Sequence, residues 1–274
     1  MTAVIKPNLQ KKSGFKAILA GVTLALVSNL SFALTAEEQK GLDISKEAKL
    51  RDLGWVDSTS DMLMVLRNQQ GQESIREIKM RNLEVKGDGD KSLTIFNKPR
   101  DVKGTAFLSF SHPVGADDQW LYLPSLKRVK RIASRNKSGP FMGSEFAFED
   151  LSSFEVEKYT YKYLGDEVVH GLDSFMVEQY PVDENSGYTR RVVWIDKEEY
   201  RVQKIDFYDR KNSLLKTLTY VDYQRYLGKH WRADLMQMVN HQNGKSTELK
   251  WDNYAFKTGL EDGDFNRNSL KRVR

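Results

Sequence analysis

The residues of this sequence that could carry out chemistry are few and widely spaced. Cysteine is absent, which excludes thiol nucleophiles and disulfide bonds. The four histidines are His112, His170, His230 and His241, and none stands in a His-x-His or His-Glu-x-x-His arrangement typical of metal ligands. We therefore expect no metal ion, no cofactor and no catalytic site. A hydrolase of lipid or envelope polymers would need a His, a Ser and an Asp that converge only in the folded chain.

The densest group of charges is the basic run at residues 126–131. In a strand, successive side chains point to opposite faces, so Arg128 and Lys130 would share one face and Lys127 and Arg131 the other. Lysine and arginine at the edge of a sheet discourage pairing with a further strand, and we favour that interpretation. The alternative is a patch that binds phosphate head groups or an acidic partner at a membrane.

The elements that would position these residues are one helix and then many strands. Thr35, with Glu38 three positions later, forms a capping box, and the pattern predicts a helix over residues 35–53. From Met62 onward the apolar residues recur with a period of two, in short segments separated by turn residues. The sequence therefore predicts about a dozen antiparallel strands, mostly joined by hairpins, in one large curved sheet or an open barrel.

One long connection interrupts the strands. Residues 133–153 contain Gly139, Pro140 and Gly143 together with several large apolar side chains. Long connections of this kind are more often functional than idle, and we expect residues 141–151 within it to form part of a lid or mouth. The alternative is a loop that only plugs one end of the core.

The N-terminal segment has the features of a secretory signal peptide. A lysine-rich start precedes the apolar residues 17–27, and Ser31 and Ala33 provide the small residues of a cleavage site after Ala33. We expect a periplasmic mature chain, residues 34–274, that forms a single domain. Residues 1–33 hold four lysines and no acid, so removing them takes away most of the net charge of +5. Nucleic-acid binding then loses its main support.

Three segments between residues 92 and 151 together resemble a known family. They are Leu-Thr-Ile-Phe at 93–96 with Asp-Val-Lys-Gly-Thr-Ala-Phe-Leu at 101–108, Gln-Trp-Leu-Tyr-Leu-Pro-Ser-Leu-Lys-Arg-Val-Lys-Arg-Ile at 119–132, and Phe-Met-Gly-Ser-Glu-Phe-Ala-Phe-Glu-Asp-Leu at 141–151. The chain resembles the outer membrane lipoprotein-sorting proteins. These are LolA-like periplasmic proteins associated with exporters of the resistance-nodulation-division (RND) and MMPL types. The resemblance extends over roughly residues 55–270.

The resemblance implies a mostly β fold, an open, strongly curved antiparallel sheet. Such a half-barrel, like those of LolA and LolB, has a few helices covering its concave side. It also implies a carrier that binds a lipid, or the acyl chains of a lipoprotein, in a hydrophobic cavity and passes it between envelope components, meeting the membrane only peripherally. The residues expected to contact the lipid are Met64, Leu108, Phe110, Phe141, Met142, Phe146, Phe148 and Trp194.

A second interpretation is a non-catalytic periplasmic adaptor of an inner-membrane RND-type transporter. An adaptor would dock through a sheet edge or the basic strand and would need no cavity. The packing of the concave face discriminates between the two interpretations, because a carrier needs a continuous void there and an adaptor does not.

Overall fold

The computed structural model describes residues 1–3 and 33–272. The chain divides into two compact units, Met1–Ala33 and Leu34–Arg274, and the helices and strands of the described residues lie in the second. The predicted signal peptide falls on residues outside the described part, so its cleavage after Ala33 stays a prediction. Over residues 1–3 and 33–272, no helix has the length and apolar character needed to cross a membrane.

The first element is the helix α1, Ala36–Asp52. Its start is capped by Thr35, whose hydroxyl accepts a hydrogen bond from the backbone N–H of Glu38 at 3.2 Å. The carboxylate of Glu38 in turn accepts a hydrogen bond from the backbone N–H of Thr35 at 2.8 Å. This reciprocal pair satisfies two backbone donors at the helix start. The predicted capping box and helix are confirmed, with the helix one residue shorter at each end.

Thirteen strands follow in one sheet. They are β1 Asp57–Arg67, β2 Glu73–Leu83, β3 Lys91–Lys98, β4 Ala106–Phe110, β5 Asp118–Leu123, β6 Arg128–Arg131, β7 Tyr159–Val169, β8 Leu172–Pro181, β9 Tyr188–Asp196, β10 Val202–Asp209, β11 Leu214–Tyr226, β12 His230–Asn240 and β13 Ser246–Phe256. The predicted fold class is confirmed: the chain is mostly β and forms an open, curled antiparallel sheet. In the described residues a single α-helix accompanies the sheet, beside several short 3-10 turns.

The strand order shows how the chain builds this sheet. Strands β1 to β6 run in sequence from the middle of the sheet to one edge, and β7 starts again at the other edge. Strands β7 to β13 then run back until β13 pairs with β1, which places Met64 opposite Leu249. The connection between β6 and β7, residues 132–158, therefore has to pass from one edge of the sheet to the other.

The two faces of the sheet carry different coverings. We define the inner face as the one that contacts α1 and the β6–β7 connection, and the outer face as its opposite. Met64 and the other inward side chains form the main core, together with Ile44 of the helix. On the outer face a smaller cluster forms where Phe265 and Leu270, near the C-terminus, pack on β3 and β4. The sheet is thus buried on both faces over β3 and β4.

The basic run lies at an edge of the sheet, as the favoured interpretation predicts. Strand β6 is the last in the strand order, and its Arg128, Lys130 and Arg131 are exposed. Arg131 forms an ion pair with Asp118 on the neighbouring strand. Lys127 does not take part in the strand alternation, because it adopts a left-handed backbone conformation with φ of 49° just before β6.

The helix α1 touches strand β7 at Gly41. A Cβ atom at this position would lie 2.9 Å from the backbone nitrogen of Tyr163 and 3.0 Å from the carbonyl carbon of Lys162. Those are backbone atoms of a paired strand, so they cannot swing away as a flexible side chain would. The missing side chain therefore lets the helix backbone rest directly on the sheet.

We expect the substitution Gly41→Ala to lower the free energy of unfolding by about 1–2 kcal/mol. Overpacking typically costs about 1–3 kcal/mol, which exceeds the gain of up to about 1 kcal/mol from the higher helix propensity of alanine. Urea denaturation followed by circular dichroism measures the change. Gly263→Ala is the matched control, because a Cβ there meets no atom within 4 Å. A stabilised Gly41→Ala variant would contradict the described contact.

Candidate ligand-binding cavity

A cavity of about 740 Å³ lies between the inner face of the sheet, the helix α1 and the β6–β7 connection. Its volume is within the range of about 300–1,000 Å³ found for small-molecule sites. Its walls come from elements that are far apart in the sequence. Ala48 belongs to the helix, Phe146 to the connection, and Ile195, Leu218 and Leu249 to three different strands. The cavity therefore exists only once the strands have paired.

The strand walls of the cavity are mainly apolar because of the period-two pattern. On β9, Val193 and Ile195 face inward, and their cross-strand partners on β10 place Ile205 beside them. Leu218 and Leu249 continue the same surface on β11 and β13. These side chains are almost fully buried by one another, yet they border the cavity. They form a surface on which an acyl chain could lie.

The helix closes the cavity through a polar contact with the β6–β7 connection. The ammonium group of Lys49 donates a hydrogen bond to the backbone oxygen of Phe154 at 2.9 Å and lies 3.2 Å from the carboxylate of Glu155. Burial, the largest influence, raises the pKa of Glu155, while the charge of Lys49 acts in the opposite direction. These two contacts tie α1 to the connection at the border of the cavity.

The β6–β7 connection fills part of the inner face with aromatic rings. The ring of Phe141 lies 5.1 Å from that of Phe107 and 5.6 Å from that of Phe148, measured between centroids, in tilted and edge-on arrangements. Phe141 is almost completely buried. The guanidinium of Arg76 on β2 donates a hydrogen bond to the backbone oxygen of Met142, and burial lowers the pKa of Arg76. The connection is thus anchored on the sheet.

A buried ion pair fixes the other half of the connection. The ammonium of Lys216 on β11 lies 2.6 Å from the carboxylate of Asp150, and both side chains are only 4% exposed. Lys216 also donates to the backbone oxygen of Glu145 at 2.8 Å, and Tyr188 donates its hydroxyl proton to Asp150 at 2.8 Å. Burial, followed by the charges of Asp150 and Glu149, raises the pKa of Tyr188 well above its usual value. Tyr188 therefore stays a neutral donor.

Glu149 borders the cavity next to this pair. Its carboxylate accepts hydrogen bonds from the hydroxyl of Ser186 and the backbone N–H of Gly187, both at 2.8 Å. Lys137 lies 4.0 Å away and is closer to Asp183, at 2.7 Å. Burial, and then the charge of Asp150, raises the pKa of Glu149. The connection thus carries its own network of paired charges along the cavity.

The eight residues that the sequence predicts as lipid contacts lie on both faces of the sheet. Phe146 borders the cavity. Four others lie in the main core of the inner face, around the cavity. Met64 and Phe141 belong to this core, and Met142 and Phe148 pack against it. The contact of these residues with a lipid stays a prediction.

The remaining three of the eight lie on the outer face. Leu108 is fully buried under the C-terminal residues, and Phe110 packs beside it with its ring 5.2 Å from that of Trp120. Trp194 donates a hydrogen bond from its indole nitrogen to Glu167 at 2.7 Å, and Lys204 lies 4.0 Å above its ring. A lipid in the cavity would have the sheet between itself and these side chains.

Tyrosines and one arginine of the cavity wall are absent from the sequence-based set. Tyr159, Tyr220 and Tyr223 border the cavity together with Arg191. For Tyr159, the signal in the sequence is its period-two alternation with its neighbours, which marks one face of β7. That pattern does not indicate which face is the inner one, so it does not distinguish a wall residue from a solvent-exposed one.

The histidines occupy separate places. His112 lies 2.9 Å from Asp88, and His241 lies 2.8 Å from the hydroxyl of Thr217, which itself donates to Asp206. Thr217 therefore stands between the imidazole and the carboxylate, whereas a catalytic triad needs the imidazole in the middle. Across the part of the chain that the structure describes, no three His, Asp or Glu side chains are grouped as a metal site would require.

Comparison with known proteins places this architecture in a family. A sequence family described as "Uncharacterized protein" matches residues 88–272. The structure is similar to that of a domain from Vibrio parahaemolyticus classed with the outer membrane lipoprotein-sorting proteins. The two chains are 62% identical, the match covers 86% of this chain and 100% of the other, and the TM-score is 0.85. No curated protein matches the sequence.

Two further solved structures share the fold. A DUF1329 family protein from Desulfovibrio piger is 29% identical, with 86% of this chain and 100% of the other covered and a TM-score of 0.81. A LolA superfamily protein from Nitrosomonas europaea is 19% identical, with 85% and 99% covered and a TM-score of 0.67. At that identity the last comparison concerns the fold alone.

Replacing Lys216 by Met tests the buried ion pair. The substitution keeps a side chain of similar length but leaves the carboxylate of Asp150 buried without its cation. Breaking one partner of a buried pair costs about 3–5 kcal/mol, and we expect the free energy of unfolding to fall by that amount. Lys98→Met is the control at the exposed Lys98–Glu77 pair, 2.9 Å apart, where about 0–1 kcal/mol is expected. Equal losses in the two variants, measured by urea denaturation, would refute the assignment.

Proposed function

Because the chain belongs to the family of the outer membrane lipoprotein-sorting proteins, we propose that it is a periplasmic carrier of lipid or lipoprotein acyl chains. The cargo would lie in the cavity between the helix α1, the β6–β7 connection and the inner face of the sheet. The carrier would take it up from one envelope component and release it to another. The signal peptide predicted over residues 1–33 supports a periplasmic location.

The observation that carries this proposal is the void itself. An adaptor needs no space on the inner face, whereas the cavity here measures about 740 Å³ and has apolar walls from several strands. The similar structures include a lipoprotein-sorting domain and a LolA superfamily protein. The carrier therefore has a specific observation in its favour and the RND-type adaptor has none.

Binding would come from burial of the cargo's hydrocarbon. Each buried methylene contributes about 0.8 kcal/mol, so a chain of ten or more carbons could be held tightly without any covalent step. The proposal assigns no catalytic role to the cavity. Release would follow from opening of the cover. Arg76 and Lys216 hold the β6–β7 connection on the sheet, and Lys49 joins the helix α1 to that connection.

Filling the cavity tests the proposal. Met236 on β12 borders the cavity, and Met236→Trp would occupy space needed by the cargo. Excluding two or more methylenes, at about 0.8 kcal/mol each, weakens binding about tenfold or more. The measurement is a fluorescence titration of the mature protein with an apolar naphthylamine probe, followed by displacement with a lysophospholipid.

Leu235→Trp is the matched control for this substitution. Successive residues of a strand point to opposite faces, so Leu235 lies on the outer face and its replacement leaves the cavity unchanged. We expect this variant to bind the probe as the unmodified protein does. Equal affinities of the Met236→Trp variant and the unmodified protein would show that the cargo does not occupy this cavity.

A further inference from the structure

Arg191 stands beside the apolar side chains of the cavity wall. Arg191 on β9 alternates with Val193 and Ile195, so it belongs to the same inward row that borders the void. Its Nε atom donates a hydrogen bond at 2.7 Å to the side-chain oxygen of Gln179, its cross-strand partner on β8. That bond occupies one edge of the guanidinium group and fixes its orientation.

Among the described residues, the other edge of the guanidinium has no protein partner. Over residues 33–272, no carboxylate lies within 4.0 Å of Arg191, and no hydrogen bond involves its two terminal nitrogens. Several other cations that border the cavity are paired, among them Lys137 with Asp183 at 2.7 Å and Arg201 with Asp196 at 2.8 Å. Arg191 is partly buried, and its terminal donors are available to an anion that enters the cavity.

Aromatic rings support the guanidinium from the side of the connection and of β7. Its central carbon lies 4.1 Å from the ring centroid of Tyr159 and 5.6 Å from that of Phe154. Those two rings are themselves stacked, with centroids 5.9 Å apart. Cation–π contacts of this kind hold an arginine in place without using its hydrogen-bond donors.

Two tyrosine hydroxyls add donors to the same wall. Tyr159 and Tyr220 border the cavity, and neither hydroxyl has a hydrogen-bond partner within the described part of the chain. Burial raises the pKa of Tyr220 to about 12 and raises that of Tyr159, with the charge of Arg191 acting against both shifts. Both hydroxyls therefore keep their protons and can donate them to an acceptor.

We propose that Arg191, with the hydroxyls of Tyr159 and Tyr220, forms a binding site for the anionic head group of the cargo. The head group is a carboxylate or a phosphate whose hydrocarbon lies along the apolar wall formed by Val193, Ile195 and Ile205. The planar terminal edge of the guanidinium matches the two oxygens of such a group. This inference rests on the proposed carrier function and adds to it the chemical class of the ligand.

Ligands with one tail and different heads test this site. Dodecanoate and dodecyl phosphate, each below its critical micelle concentration, and dodecanol, below its solubility limit, are used to displace the naphthylamine probe from the mature protein. Charge-assisted hydrogen bonds are worth more than neutral ones, so both anionic ligands should bind about tenfold or more tightly than dodecanol. The variant Arg191→Gln should lose this preference while its affinity for dodecanol changes less than about twofold.

Arg190→Gln is the matched control for Arg191→Gln. Arg190 is the preceding residue of the same strand, lies on the outer face and forms an ion pair with Glu178 at 2.8 Å. This variant should keep the full preference for anionic ligands. If Arg191→Gln does not fold, Tyr159→Phe removes one hydroxyl donor and leaves the ring in place. It should weaken binding of the two anionic ligands and leave dodecanol unchanged.

The possible results separate this inference from the proposed function. Equal affinities of dodecanol and the two anionic ligands for the unmodified protein would overturn the head-group site and leave the carrier function standing. Failure of all three ligands to displace the probe would overturn both. Inorganic phosphate is the last probe: if calorimetry shows that it binds as tightly as dodecyl phosphate and requires Arg191, the site takes free anions and the head-group assignment is wrong.

Discussion

The fold depends on keeping water away from the inner face of an open sheet. Thirteen antiparallel strands present a row of Met, Ile, Val and Leu side chains on that face, and the curl of the sheet brings these rows towards one another. A closed barrel would fill such an interior with its own side chains. This sheet is open, so other parts of the chain have to cover it, and the helix α1 and the β6–β7 connection do so. They cover the face without filling it, and the space that they leave is the cavity.

Polar contacts determine where that cover sits. Apolar packing alone has little directional preference, so a connection made only of Phe and Met could settle in several ways. Lys216 with Asp150 and Arg76 with the backbone of Met142 join the connection to the sheet, and Lys49 with the backbone of Phe154 joins the helix to the connection. Each of these bonds has to be broken or exchanged when the cover moves. They set an energetic threshold for opening, which suits a carrier that must hold its cargo until it meets a partner.

Much of the fold follows from local patterns in the sequence. The capping box at Thr35 and Glu38 gives the helix, and the period-two segments give the strands with small errors at their ends. The central pairing of β1 with β13 cannot be predicted from local patterns. The two strands lie near opposite ends of the domain sequence, and no turn connects them directly. The alternation also leaves open which face is inner. Phe107 and Leu108 are both fully buried, one inside and one outside, because the C-terminal segment covers the outer face of β4. For that reason the predicted lipid contacts include Phe146, which borders the cavity, together with Leu108 and Trp194, which lie on the outer face.

A carrier requires that the cavity hold an amphiphile in the cell. Native mass spectrometry of the mature protein purified from periplasm, combined with lipid extraction, tests this claim most directly. We expect a mass in excess of the polypeptide that disappears on extraction and that corresponds to one acylated molecule with an acidic head. A mass equal to that of the polypeptide alone, unchanged after incubation with membrane lipids, would contradict the account.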